Sequence, residues 1–220
     1  LGASTLSLSG GGTFANTMPL VLDNAASKLL LSSITVDNVS TSVDNSLGVE
    51  VENDSTITSL SVANITPVSI GSGKTLSGAI GVTAGSIKLT DTGTLASTIE
   101  MSGGTLDADN SLTVSGVLTQ SGDITIDVAD TSTLTYTGIP ISLGEFSLML
   151  TGGGNLLSGG LDLNNANSKL LLSSITVDKV STSVDNSLGV EVLSDSTVRN
   201  LSLSQKLRLS VGSAQTLIIT

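Results

Sequence analysis

The strongest constraint on this chain is an internal duplication. Residues 27–51 recur at 168–192, an offset of 141, and only Asn38, which becomes Lys179, differs between the two blocks. Self-similarity at a fixed period is the sequence signature of repeat architectures, in which each unit buries its apolar face against its neighbours. We therefore expect one continuous repeat structure.

The duplication extends beyond the near-identical block. Residues 1–79 correspond to 142–220, with one residue inserted or lost near the start, while 80–141 have no second copy. The chain thus holds about one and a half copies of a 141-residue unit. We predict a single domain over 1–220, made of this internal duplication and the unduplicated middle.

Short alternating segments fill the unit. Apolar residues, rich in Leu, Val and Ile, recur at every second position and are bounded by Gly, Asn, Asp or Ser, which indicates strands and turns. The predicted strands include Leu6–Ser9, Lys28–Ser32, Ile34–Asp37, Leu47–Val51, Ile57–Val62, Ile87–Thr90, Leu112–Ser115, Ile124–Val128, Leu134–Thr137 and Phe146–Thr151. Three strands with their turns take roughly 18–24 residues, the length of one stacked coil. No segment has helical periodicity.

The amino-acid composition selects among all-β architectures. The only aromatic residues are Phe14, Tyr136 and Phe146, whereas a sandwich core about 10 Å thick is usually filled with aromatic side chains. The interior of a parallel β-helix is narrower, and stacked Leu, Val and Ile side chains are sufficient to fill it. We predict an all-β fold without helices, a parallel β-helix (β-solenoid) of roughly ten short coils. Sandwich modules are the alternative.

Two segments carry a family resemblance. The strings TLDADNSLTVSGVLTQSGDITI (105–126) and VSIGSGKTLSG (68–78) resemble the coils of bacterial extracellular β-helices. Autotransporter passengers, filamentous-haemagglutinin-like proteins and other repetitive adhesins are similar to this chain in composition along nearly its whole length. Phage tail fibres have a similar composition. The resemblance implies an elongated, extracellular, usually non-enzymatic protein.

Composition excludes several functional classes. The chain has no His and no Cys, which removes Ser-His-Asp and Cys-His catalysis and zinc, haem and iron–sulfur centres. A net charge of -11 disfavours nucleic acid and anionic membranes as partners. No run of 18 apolar residues is present, so we expect no membrane insertion.

Closely spaced carboxylates are the remaining candidates for chemistry. Weak calcium candidates are Asp107, Asp109, Asp123, Asp127 and Asp162. Asp107 and Asp109 alternate along a strand and therefore share a face. Calcium needs six to eight oxygen ligands, and neither an EF-hand loop nor the glycine-rich calcium repeat is present. Acidic residues at coil corners are the simpler interpretation, and we expect no cofactor and no catalytic residue.

The sequence therefore predicts a non-enzymatic structural protein: a β-solenoid segment of an extracellular or cell-surface bacterial fibre or giant repeat adhesin. Its first residue, Leu1, leads us to expect a processed chain or part of a longer one. Neither terminus has a capping pattern, so we expect head-to-tail contact with further coils or other copies. The alternative is a glycan- or receptor-binding adhesin or phage tail-fibre module, whose site we expect in 80–141 near Tyr136.

Overall fold

The computed structural model describes residues 1–45 and 47–220, and this part of the chain forms strands and no helix. Neighbouring strands pair in parallel throughout. The chain winds into a β-solenoid of about eleven turns. The prediction of a parallel β-helix is confirmed, and the sandwich alternative is wrong because sandwich sheets are antiparallel.

Sheet 1 runs the length of the solenoid with eleven strands. They are β1 (Thr5–Ser9), β4 (Lys28–Ser32), β6 (Gly48–Asn53), β8 (Thr66–Ile70), β10 (Ser86–Leu89), β12 (Thr105–Ala108), β15 (Ile124–Val128), β18 (Ser147–Thr151), β21 (Lys169–Leu172), β23 (Asn186–Val192) and β25 (Leu207–Val211). Each strand pairs with the strand of the next coil.

Sheet 2 forms the opposite wall with fifteen strands. They are β2 (Thr13–Phe14), β3 (Leu20–Leu22), β5 (Thr35–Thr41), β7 (Ser55–Val62), β9 (Thr75–Val82), β11 (Thr94–Met101), β13 (Leu112–Val114), β14 (Leu118–Gln120), β16 (Thr133–Tyr136), β17 (Ile141–Ser142), β19 (Asn155–Ser158), β20 (Leu161–Leu163), β22 (Thr176–Thr182), β24 (Ser196–Leu203) and β26 (Leu217–Ile219). A coil has three strands where sheet 2 is interrupted, as at β13 and β14, and two where it is continuous.

Coil length varies within the predicted range. Val49 pairs with Val68, 19 residues on, whereas Ile124 pairs with Leu148, 24 residues on. Inward positions are almost all Leu, Val and Ile, and they form one buried column between the sheets. Because side chains alternate along a strand, Ser, Thr and charged residues occupy the outward positions.

Sheet 2 bends sharply in mid-strand, and small residues occupy the inward position at the bend. Gly78 has a φ of +123°, and a Cβ added there would lie 1.8 Å from the carbonyl oxygen of Ile57 in the preceding coil. A Cβ at Gly116 would lie 1.8 Å from the carbonyl oxygen of Ser97. Only glycine permits the coils to approach this closely at the bend.

The duplicated sequence builds duplicated structure. β5 and β22 begin and end at equivalent residues, and Ser33 and Ser174 both adopt a φ of 56°. A Lys28–Glu50 ion pair bridges two coils, and its counterpart joins Lys169 to Glu191 at 2.7 Å. Seven strand-to-strand steps in sheet 1 separate β4 from β21, so one 141-residue unit makes seven coils.

Among the residues described, no helix has the length and apolar character needed to cross a bilayer.

Candidate functional site

The outer face of sheet 1 gathers four charged residues. Lys88, Asp107 and Asp127 are register partners on β10, β12 and β15, and all three point outward. The Lys88 Nζ lies 3.5 Å from Asp107 Oδ2 and 3.0 Å from Asp109 Oδ2. The predicted common face of Asp107 and Asp109 is confirmed, and one lysine bridges both carboxylates.

Partial burial changes the pKa of one residue of this cluster, Asp107. It raises the pKa of the Asp107 carboxyl above its ordinary value; Lys88 opposes the shift, and the carboxylates of Asp109 and Asp127 add to it. The hydrogen bond to Asp109 raises the pKa of Lys88. Asp127 Oδ1 is buried against Gly152 and accepts no hydrogen bond from the described residues. The arrangement is a partly exposed ion-pair network on an open sheet face.

The other two calcium candidates lie elsewhere. Asp123 precedes β15 and accepts a 2.7 Å hydrogen bond from the Ser147 amide. Asp162 lies in β20 of sheet 2, and Ser183 Oγ donates to it at 3.3 Å. Within 1–45 and 47–220, no three acidic side chains are placed to hold a metal ion. The structure therefore brings together Asp107, Asp109 and Asp127 but not all five candidates, and calcium binding stays a prediction.

Tyr136 is not part of an exposed recognition surface. Its side chain is 3 % exposed, packs inside the solenoid, and has a pKa raised by burial. Tyr136 is therefore not available to a ligand at the surface, because an alternating strand pattern places residue 136 on the inward side together with Leu134. A binding site elsewhere in 80–141 stays a prediction.

Two equivalent grooves indent the corner between the sheets. The first, of about 460 Å³, is lined among others by Gly12, Ser33, Thr35, Asp54, Thr56 and Thr75. The second, of about 440 Å³, is lined among others by Gly153, Ser174, Thr176, Asp195, Thr197 and Thr216. Apart from the glycines, each residue of the second set is the counterpart of one in the first at the offset of 141.

A step in the stacking of the coils shapes each groove. Thr13, Thr35 and Thr56 are register partners on three successive coils. On the next coil Thr56 pairs with Ser77 instead of a threonine, and Thr75, two residues before Ser77, begins a new stack of threonines. The same step follows Thr197, which pairs with Ile218. Residues on both sides of this step line the groove, Thr56 and Thr75 in the first copy and Thr197 and Thr216 in the second.

One carboxylate is fixed in each groove by a backbone amide. The Thr75 amide donates to Asp54 Oδ1 at 2.9 Å, and the Thr216 amide donates to Asp195 Oδ1 at 2.7 Å. The following serine hydroxyl donates to a corner carbonyl at 2.8 Å in both copies. Both aspartates are exposed, so a carboxylate with a fixed orientation faces the solvent in each groove.

Sequence reasoning missed the grooves, although a signal was present. Asp54-Ser55-Thr56 recurs as Asp195-Ser196-Thr197 outside the near-identical block, where most flanking residues have changed. No periodicity indicates that this tripeptide lies beside Thr75, because coil length varies.

Comparisons of this chain with protein-family models, with curated proteins and with solved structures find no significant match.

Proposed function

We propose that this chain is a non-enzymatic structural protein, a β-solenoid segment of an extracellular, bacterial surface fibre or giant repeat adhesin whose coils stack end to end. The solenoid fold is consistent with a structural or adhesin-like repeat protein. The observation that carries the end-to-end stacking is the exposure of apolar side chains in the last coil.

The last coil exposes apolar side chains at positions that are buried in the coil before it. Leu209 and Val211 of β25 pair with Val190 and Val192, which are 2 % and 0 % exposed, yet Leu209 and Val211 themselves are 45 % and 43 % exposed. Ile219 of β26 is exposed in the same way above the buried Val198. Burying apolar surface contributes about 25 cal/mol per Å², so a further coil placed here is stabilised.

The internal duplication indicates what such a neighbour is. β25 is the counterpart of β8, and in the first copy β10 covers β8 by pairing Leu89 with Val68. Val68, the counterpart of Leu209, is 1 % exposed under that cover. A further coil, from a longer chain or from a second copy, therefore suits this face, as does the open edge of parallel strands.

The surface chemistry supports a mechanical role. The charge cluster in which a carboxyl pKa is raised is bridged by Lys88 on an open face, and the sequence has neither His nor Cys. Acid–base catalysis needs a substrate held beside the titrating group, and Asp107 and Asp127 do not line the grooves described above.

The test combines electron microscopy with sedimentation over a range of protein concentrations. We expect single rods of about 48 Å, from ten steps of about 4.8 Å, and longer fibres as concentration rises. The double variant Leu209→Lys/Val211→Lys should stay as single rods. Ile139→Lys, at an exposed position away from the last coil, is the matched control and should associate like the parent.

A wild-type protein that stays monomeric at every concentration would contradict end-to-end stacking, as would lysine variants that still form fibres.

The second candidate function is a glycan- or receptor-binding adhesin or phage tail-fibre module. The two equivalent grooves are the observation that favours it.

A further inference from the structure

We propose that the two corner grooves are equivalent binding sites for a neutral, polyhydroxylated saccharide chain, one site in each copy of the duplicated sequence. This inference develops the second candidate function and rests on it. It does not require the coils to stack end to end.

Unequal divergence of the duplicated segments is the first argument. Downstream of the near-identical block, Thr58 has become Arg199 and Ile65 has become Lys206. Asp54, Ser55, Thr56 and Thr75 are nevertheless unchanged in the second copy, and all four line the groove. Ser77, which also lines the first groove, has become Ile218 in the second. The carboxylate, the serine and both threonines of the groove have therefore been retained while most residues around them changed.

Hydrogen bonding within the fold explains only part of this retention. The carboxylate of Asp54 and the hydroxyl of Ser55 close the corner, so both have a structural use. The Thr56 hydroxyl makes no hydrogen bond to the described residues, and its methyl and hydroxyl groups point outward from β7. A valine would serve the strand equally well. The retained hydroxyl is available for a ligand.

The lining chemistry identifies the ligand class. Hydroxyls and one carboxylate line each groove, together with Ile34 in the first and Ile175 and Ile218 in the second, and neither lining includes a Lys or Arg. An anionic ligand would meet the carboxylate of Asp54 or Asp195 without a cation to offset it, in a chain whose net charge is -11. A carboxylate accepts hydrogen bonds from hydroxyl donors, and a threonine hydroxyl donates or accepts. Neutral sugars carry this combination.

The dimensions suit a short linear chain. Volumes of about 460 and 440 Å³ fall within the range of small-molecule sites. The first groove extends over four successive coils, from Gly12 to Thr75, which is about 14 Å at about 4.8 Å per coil. A ligand lying along the solenoid axis meets glycine at the first of these coils and at least one hydroxyl at each of the other three.

The test is titration calorimetry of the full chain with neutral linear hexasaccharides of glucose, mannose and N-acetylglucosamine. At least one should bind with two sites per chain. Thr56→Val/Thr75→Val should remove the first site and Thr197→Val/Thr216→Val the second, each by at least ten-fold weakening, so that two sites become one. Thr94→Val/Thr113→Val is the matched control, because these residues continue the same stack outside the groove.

Amide chemical shifts give an independent measurement. The Thr75 and Thr216 amides, bonded to the groove carboxylates, should shift on addition of the bound hexasaccharide. Absence of binding by all three hexasaccharides, binding that the groove variants leave unchanged, or a single site per chain would each overturn the proposal. Fibre formation is measured separately, so either proposal can fail alone.

Discussion

The backbone amide of Leu118 donates a 3.0 Å hydrogen bond to the phenolic oxygen of Tyr136, one coil further along. Leu118 begins β14, beside the point where sheet 2 is interrupted between β16 and β17. A buried amide that finds no carbonyl in the next strand needs another acceptor. The hydroxyl of Tyr136 is that acceptor, at the point where the strand-to-strand hydrogen bonding of sheet 2 is interrupted.

Replacing Tyr136 with Phe should therefore lower the free energy of unfolding by about 1–3 kcal/mol, because the Leu118 amide loses its acceptor while remaining buried. Guanidinium titration followed by circular dichroism measures the change. Thr135→Val, on the outward side of the same strand, is the control and should change stability by less than about 0.5 kcal/mol. Equal effects in the two variants would contradict this role for the hydroxyl.

The bend of sheet 2 predicts opposite responses from two glycines of β9. Gly78→Ala should destabilise the protein by at least about 2 kcal/mol, because the new Cβ meets the Ile57 carbonyl and φ is +123°. Gly81 has open space around its Cβ position and no positive φ, so Gly81→Ala should be neutral or stabilising by about 0.4–1 kcal/mol. Thermal melts of both variants test the prediction, which fails if Gly78→Ala is tolerated.

Buried leucines in the two copies should behave alike and independently. Leu31 and Leu172 are counterparts at the offset of 141, and both are fully buried. Each change to Ala should cost about 2–5 kcal/mol through the cavity that it leaves. The sites are seven coils apart, so we expect the double variant to be additive to within about 0.5 kcal/mol. The outward Leu171→Ala is the control, and strong coupling between the two sites would argue against coils that interact only with their neighbours.

The raised pKa of Asp107 predicts a pH-dependent stability. The folded state disfavours the ionised form of Asp107. The contribution of Asp107 to folding stability is therefore most favourable below the ordinary aspartate pKa of about 3.9, and it is lost as the pH rises through the pKa of Asp107 in the folded protein. Asp107→Asn should therefore be more stable than the parent at pH 7 and equal to it at pH 3. Asp37→Asn, on an outward position of sheet 2, is the control. A neutral-pH loss of stability in Asp107→Asn would show that the ion pair with Lys88 outweighs burial.

The fold could be predicted from the sequence because it depends on alternation and composition. Lys28–Ser32 and Ile124–Val128 were predicted with the bounds that the structure has. β9 and β11 were not among the predicted strands, since Gly78 and Ser97 interrupt their alternation at the bend. The bend itself depends on contacts between coils, which no local pattern records.

The candidate sites were less predictable. Asp107 and Asp109 share a face because they are two residues apart on one strand, and local periodicity is sufficient for that inference. The approach of Asp54 to Thr75 depends on a coil of particular length, and coils here range from 19 to 24 residues. Without a constant coil length, residues of neighbouring coils cannot be aligned from the sequence.

The seven-coil length of the duplicated unit makes the solenoid a molecular ruler. Seven steps of about 4.8 Å set equivalent positions about 34 Å apart along the axis. Features present once per unit, such as the Lys28–Glu50 ion pair and the corner grooves, recur at this interval along the solenoid. A partner with ligands at matching intervals gains avidity from the preset spacing, whereas one with mismatched intervals binds each unit separately.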